Sequence, residues 1–189
     1  MVPRISFKDC LGKKTLILGD VGTGKTKMTL DLLKQAIAMG HAQDITVVDM
    51  APEARVVSGR RIGGRLSKLM TLPEAVRYLC PPRIETPRLS AKNAEELLSL
   101  AKRNREVLEP LLQRFLRSPS AILFINDISI GLQSGSMELV MDVVKAARTL
   151  VANGYYGKYL SFDFGTGFSK AERDRMDLLA QMMDVMIGL

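Results

Sequence analysis

One histidine, His41, and two cysteines, Cys10 and Cys80, are all the chain has of the softer metal ligands. A single imidazole cannot build a histidine-based metal site or a catalytic triad, and His41 follows Gly40 where a helix is expected to end. The cysteines stand far apart and in no metal-binding spacing, so two packing thiols are expected rather than a zinc site or a disulfide. Long apolar runs are missing too: none approaches the roughly 20 residues of a membrane-spanning helix. The opening residues Met1-Val2-Pro3-Arg4-Ile5-Ser6 lack the apolar core of a signal peptide, which makes the cytoplasm the expected location, with no membrane partner. Repeats, low-complexity tracts and linkers are absent. What is present is a chain of 189 residues, 47% hydrophobic and 25% charged, proportions that suit a single globular domain with a proper core.

The strongest local pattern is Gly19-Asp20-Val21-Gly22-Thr23-Gly24-Lys25-Thr26, which fits G-x-x-x-x-G-K-[ST] at every fixed position. The apolar run Thr15-Leu16-Ile17-Leu18 before it reads as a buried strand. Met28, Leu30, Leu32, Leu33, Ala36 and Ile37 after it read as a helix. Strand, glycine-rich loop and helix are the context this motif requires. Its backbone N–H groups, with the helix N-terminus, would cradle phosphates. Lys25 would reach the β- and γ-phosphates, and the Thr26 hydroxyl would ligate Mg²⁺. ATP or GTP with Mg²⁺ is therefore the expected cofactor pair.

Strands and helices alternate along the rest of the chain, the mark of an α/β fold with a parallel sheet. A second strand is expected at Ile45–Asp49 and a short helix near 73–79. A long helix should run over about 91–117, with Asn93 and Glu96 as a capping pair and Pro110 kinking or dividing it. Ala121–Asn126 is nearly all apolar and should be a central strand. Val140, Val143, Val144, Ala147 and Leu150 mark a helix that Gly154 would end. A fourth strand is expected within 158–164, a helix opening at Ser169-Lys170-Ala171-Glu172, and a fifth strand at 185–189. The expectation is a three-layer P-loop NTPase domain over 1–189, its mostly parallel sheet of about five strands interrupted by an irregular basic insertion at about 51–90.

Further acids are needed near the phosphates. Asp127, at the end of the apolar strand, suits the metal-side carboxylate. Many ATPases place Glu directly after this Asp, but Ile128 follows here. The second strand, ending Val47-Val48-Asp49-Met50-Ala51-Pro52-Glu53, offers a substitute. The run from Gly24-Lys25-Thr26 through Asp49 and Glu53 resembles the RecA-like ATPases. In them the strand after the P-loop helix ends in Asp, and a nearby Glu activates water. The resemblance implies a RecA-like fold, ATP in preference to GTP, and catalytic roles for Lys25, Glu53 and Asp49. It also implies a γ-phosphate sensor near Asp163 or Thr166. The absence of an N-K-x-D guanine motif agrees with ATP. From Ile122 to Gly131, with the tail that follows, the chain also resembles corrinoid adenosyltransferases, which transfer the adenosyl group of ATP to cobalt.

Charge is uneven. Residues 51–90 hold eight basic residues against three acids, most of the net charge of +7. Arg60, Arg61 and Arg65 surround Ile62-Gly63-Gly64. They suit a phosphate clamp, an arginine finger in a neighbouring copy, a grip on nucleic acid or an acidic protein, or a plain solvated face. An oligomer follows only from the second of these. Three functions stay open: an ATPase acting as motor or switch, an ATP-dependent transferase, and a nucleotide-binding module without significant turnover.

Overall fold

The protein was analysed as a computed structural model that describes residues 5–189; the first four residues, read above for a signal peptide, lie outside the described residues. Helix α1 (Phe7–Cys10) leads into β1 (Lys14–Gly19), the strand before the glycine-rich loop. Helix α2 (Lys25–Ala38) and β2 (Ile45–Asp49) follow. The basic segment contains a hairpin of β3 (Arg55–Val57) and β4 (Arg60–Ile62), then a short strand β5 (Arg77–Leu79). Helices α3 (Pro87–Ser90) and α4 (Ala94–Arg117) precede β6 (Ile122–Asn126). The remainder is α5 (Ile128–Ser134), α6 (Met137–Ala146), β7 (Thr149–Tyr155), α7 (Phe168–Ala180) and β8 (Val185–Gly188).

Six strands pair in the order β5-β2-β6-β7-β1-β8, and every pairing in this sheet is parallel. Alternate residues of the central strands feed two cores. Leu16, Leu123, Ile125, Leu150 and Ala152 face α4, α5, α6 and α7. Ile17, Ile122, Phe124 and Val151 face α1 and α2. Burial on both faces explains why these strands read as continuous apolar runs. The result is a three-layer α/β architecture consistent with the expected P-loop fold, with six strands rather than about five. No helix among the described residues is long and apolar enough to cross a membrane. Both cysteines are free, Cys10 fully buried and Cys80 half-buried.

Three local expectations are corrected. The helix around Val140 ends at Ala146, and the residues placed at its end form β7. Six of the seven residues of β7 are buried, so its apolar content carries no alternation to separate strand from helix. Residues 158–164, expected to hold the fourth strand, instead lie outside the sheet, with Lys158 and Tyr159 bound to Asp20 of the glycine-rich loop. The short helix expected near 73–79 gives way to β5, an edge strand pairing with β2. The long helix is one continuous element despite Pro110, and Asn93 caps it by accepting from the Glu96 backbone N–H at 2.8 Å.

Glu172, in the first turns of α7, is 2% exposed and serves to hold that helix in place. Arg88 donates to both its carboxylate oxygens, at 2.9 and 3.0 Å, tying the segment after β5 to α7. Burial pushes the Glu172 carboxyl above its ordinary range, and Arg88 opposes the shift. Removing one partner of such a pair strands the other charge. Glu172→Ala is therefore expected to destabilise the fold by about 3 kcal/mol or more in urea denaturation. The double replacement Arg88→Met with Glu172→Leu should cost less than either single loss.

Candidate nucleotide site

The glycine-rich loop turns from β1 into α2 through Gly24, whose φ of 97° belongs to the left-handed region that a side chain disfavours. Lys25 and Thr26 then open the helix with their side chains at a cavity of ~450 Å³. Gly22, Arg61, Asp127 and Asn153 are also in its wall. Lys25 Nζ donates to the Asp20 carbonyl at 2.7 Å. Burial lowers the affinity of this amine for its proton, while Asp127 and Asp20 act in the opposite direction.

Asp20 contributes through its carboxylate as well. Burial raises its pKa, but backbone N–H groups of Lys158, Val21 and Tyr159 outweigh that and hold it below the usual carboxylate range. The Lys158 and Tyr159 bonds are 2.9 and 3.3 Å long. They strap residues 157–160 across the loop. A Cβ on Gly157 would collide with the Asp20 carboxylate, so the close approach depends on glycine there.

Asp127 sits just past β6 with φ 61° and ψ 56°, a left-handed conformation uncommon outside glycine. Such strain costs of the order of 1–3 kcal/mol and persists where surroundings impose it. Here the Asp127 N–H donates to Asn153 Oδ1 at 3.1 Å, and Ser129 Oγ donates to Asp127 Oδ1 at 2.6 Å. Burial raises the Asp127 carboxyl pKa; the Ser129 bond, Lys25 and Arg88 oppose it.

A buried polar chain holds the strand tips in place. Asp49 is fully buried and accepts four bonds: from Leu66 N at 2.7 Å, Tyr78 Oη at 2.7 Å, Asn126 Nδ2 at 2.9 Å and Ala51 N at 3.2 Å. Asn126 Nδ2 also donates to Gly64 O at 3.0 Å, and Asn126 Oδ1 accepts from Asn153 Nδ2 at 3.0 Å. Asn153 Nδ2 reaches Thr29 Oγ1 at 2.8 Å, and Thr29 donates to Lys25 O at 3.0 Å. Burial pushes the Asp49 carboxyl up, against the four donors that pull it down.

The fold thus gathers the glycine-rich loop with Lys25, Thr26 and Asp127 in one cavity. It does not bring the other expected acids there. Asp49 spends its oxygens on the polar chain and is outside the cavity wall. Glu53 is also outside it, 63% exposed in its side chain, with Arg65 Nε 3.5 Å away. Asp163 and Thr166 shape the entry to α7: Asp163 accepts from Ser169 N at 2.9 Å, and Thr166 Oγ1 donates to Asp163 O at 2.8 Å. The polar residue near the tip of the strand beside β1 is Asn153, which the sequence reading missed by making that stretch a helix.

The cavity fits Mg²⁺ only in company with phosphates. Thr26 and Asp127 supply hard oxygen donors, and no group of three or more acidic, histidine or cysteine side chains among the described residues could hold a metal alone. One or two protein ligands plus phosphate oxygens is the usual Mg²⁺ arrangement at nucleotides.

No protein-family model matches the chain, and no curated protein matches it. Among solved structures it is similar to Pif1 helicase from Candida albicans, at 16% identity and a TM-score of 0.41. The likeness covers 94% of this chain and 36% of that one. At that score it carries no argument about function, and the resemblance to corrinoid adenosyltransferases has no support in it.

With Glu53 in solvent against Arg65, Glu53→Gln is expected to leave ATP turnover within about twofold, under ~0.5 kcal/mol of transition-state stabilisation. Steady-state phosphate release measures this, and a strong loss of rate would give Glu53 the catalytic role implied by the RecA-like resemblance.

Proposed function

We propose that the protein is a Mg²⁺-dependent ATP-binding P-loop NTPase that hydrolyses ATP slowly in isolation and serves as a motor or switch. The observation that carries this reading is the convergence of Lys25, Thr26 and Asp127 on one cavity at the N-terminus of α2. Backbone N–H groups of the glycine-rich loop and the helix terminus suit the phosphates. Lys25 would exchange its bond to the Asp20 carbonyl for β- and γ-phosphate oxygens. Thr26 and Asp127 would hold Mg²⁺, which when bound neutralises phosphate charge. In hydrolysis, a water oxygen bonds to the γ-phosphorus as the bond to the β-phosphate bridging oxygen breaks. ADP and phosphate leave, and the water's proton passes to solvent.

The slow rate follows from what surrounds Asp127. Its chain neighbours are Asn126, committed to the polar chain, and Ile128, which is apolar and buried. No second free carboxylate joins Asp127 in the cavity wall among the described residues. ATP in preference to GTP rests on the RecA-like resemblance. A polyanion, either nucleic acid or an acidic protein, stays the partner suited to the charge of the basic segment. Arg60, Arg61 and Arg65 nevertheless do not form one surface: Arg65 is buried, and Arg60 lies over Tyr159 at 4.7 Å from the ring centroid.

Lys25→Ala should weaken ATP binding by about tenfold to a hundredfold, the worth of a charge-assisted contact of ~1.5–3 kcal/mol. Calorimetry giving an unchanged affinity would refute the site. Asp127→Asn should leave ATP affinity within about threefold but cut Mg²⁺-dependent turnover at least tenfold, because the carboxylate acts through the metal. Turnover within twofold of the parent would remove Asp127 from the metal's ligands.

A further inference from the structure

The arginines of the basic segment have separate fates. Arg55 donates to Thr86 Oγ1 at 2.6 Å. Arg65, 8% exposed, faces Glu53 and donates to Pro82 O at 3.2 Å. Arg60 stacks on Tyr159. The Arg61 side chain forms no hydrogen bond or ion pair among the described residues, and Arg61 is the arginine in the wall of the nucleotide cavity. Its Nη2 lies 4.0 Å from where a Cβ on Gly64 would stand, which puts the guanidinium against that wall. Lys25 and Lys27 border the same cavity, with Asp127 as its one carboxylate among the described residues. Three cations around one acid repel each other until a polyanion joins them.

We infer that Arg61 contacts the terminal phosphate of ATP in cis, on the nucleotide held by its own chain. This rests on the reading of the cavity as an ATP site. The hairpin that carries Arg61 is tied at both ends to that site. At its root, Gly64 O accepts from Asn126, next to Asp127, and Gly64 N donates to Pro52 O at 3.0 Å. At its tip, Tyr159 Oη donates to Val57 O at 3.3 Å, while the Tyr159 backbone N–H is bound by Asp20 of the glycine-rich loop. A finger serving a neighbouring molecule would need a support that projects outward; this one closes over its own cavity. Arg61 would spread its charge over the γ-phosphate oxygens as the bond to the β-phosphate lengthens. A planar, permanently charged guanidinium suits that task.

Arg61→Ala and Arg61→Lys in the full chain test the assignment. Arg61 is exposed, so neither should alter the melting temperature. Calorimetry on the alanine variant should show the preference for ATP over ADP falling about fivefold to tenfold, a reading that needs no turnover. The rate constant for turnover should drop at least about a thousandfold, the lower reach of arginine fingers, while ATP affinity falls far less. Lysine should recover only a minor part of the rate. Specific activity should not vary with protein concentration. A mixture of Lys25→Ala and Arg61→Ala chains should stay inactive, because neither can complete the other's site. Recovery in that mixture would overturn the assignment in favour of action in trans. An unchanged ATP-to-ADP ratio and rate would overturn it as well. So would a variant that loses only salt-sensitive oligonucleotide binding. Failure of the ATP reading itself is separate: Lys25→Ala would then bind ATP like the parent, whatever Arg61 does.

Discussion

Everything at the carboxyl end of the sheet depends on one buried run of hydrogen bonds, from Asp49 through Asn126 and Asn153 to Thr29. Four side chains from β2, β6, β7 and α2 are joined where an apolar core would otherwise meet. Buried polar groups are tolerable only when satisfied, and Asp49 accepts four donors to meet that condition. The geometry that follows is specific. Asn153 fixes the backbone of Asp127 in its strained conformation, and Thr29 reaches the first turn of α2 just behind Lys25. Leu66 and Gly64 join the same network from the basic segment. The metal-side acid, the phosphate loop and the hairpin therefore share one set of supports.

Charge at the site is partitioned by burial. Asp49 looks like a candidate for chemistry in sequence, since an acid at a strand end is what a nucleotide site uses. Inside the fold it is structural, because its two oxygens already accept four donors, Asn126 among them. Asp127 escapes this fate: among the described residues only Ser129 engages its carboxylate within hydrogen-bond distance, and the cavity lies before it. Neighbouring residues 126 and 127 differ because Asn126 closes β6 with its side chain in the buried polar chain, whereas Asp127 lies past the strand in the left-handed turn that opens α5.

Sequence revealed most where a pattern is local. The glycine-rich loop, its strand and its helix could be read together because the motif fixes conformation over eight residues. The cap at Asn93 and Glu96 was equally legible, since both halves lie within one turn. β7 was not: Leu150, Val151 and Ala152 are buried on both sides, and helix and central strand then share one apolar signature. The hairpin was missed for a related reason. Its strands are three residues each, too short to show alternation, and its Ser58-Gly59 turn with two positive φ values was hidden in a run of charge. Glu53 misled because spacing along the chain says nothing about which way a loop residue faces.

The position of β1 has a consequence for how the chain acquires its shape. Both neighbours of this strand, β7 and β8, come from beyond residue 148, whereas the glycine-rich loop follows β1 directly. The register that pairs Lys14 with Leu150 closes a very long loop, and such closure slows assembly and leaves unpaired strand edges exposed meanwhile. On a ribosome, the phosphate loop would emerge well before β7 and β8 and stay without its scaffold until they follow. Truncations beyond α6 would then abolish the nucleotide cavity even though every residue of the glycine-rich loop remained present.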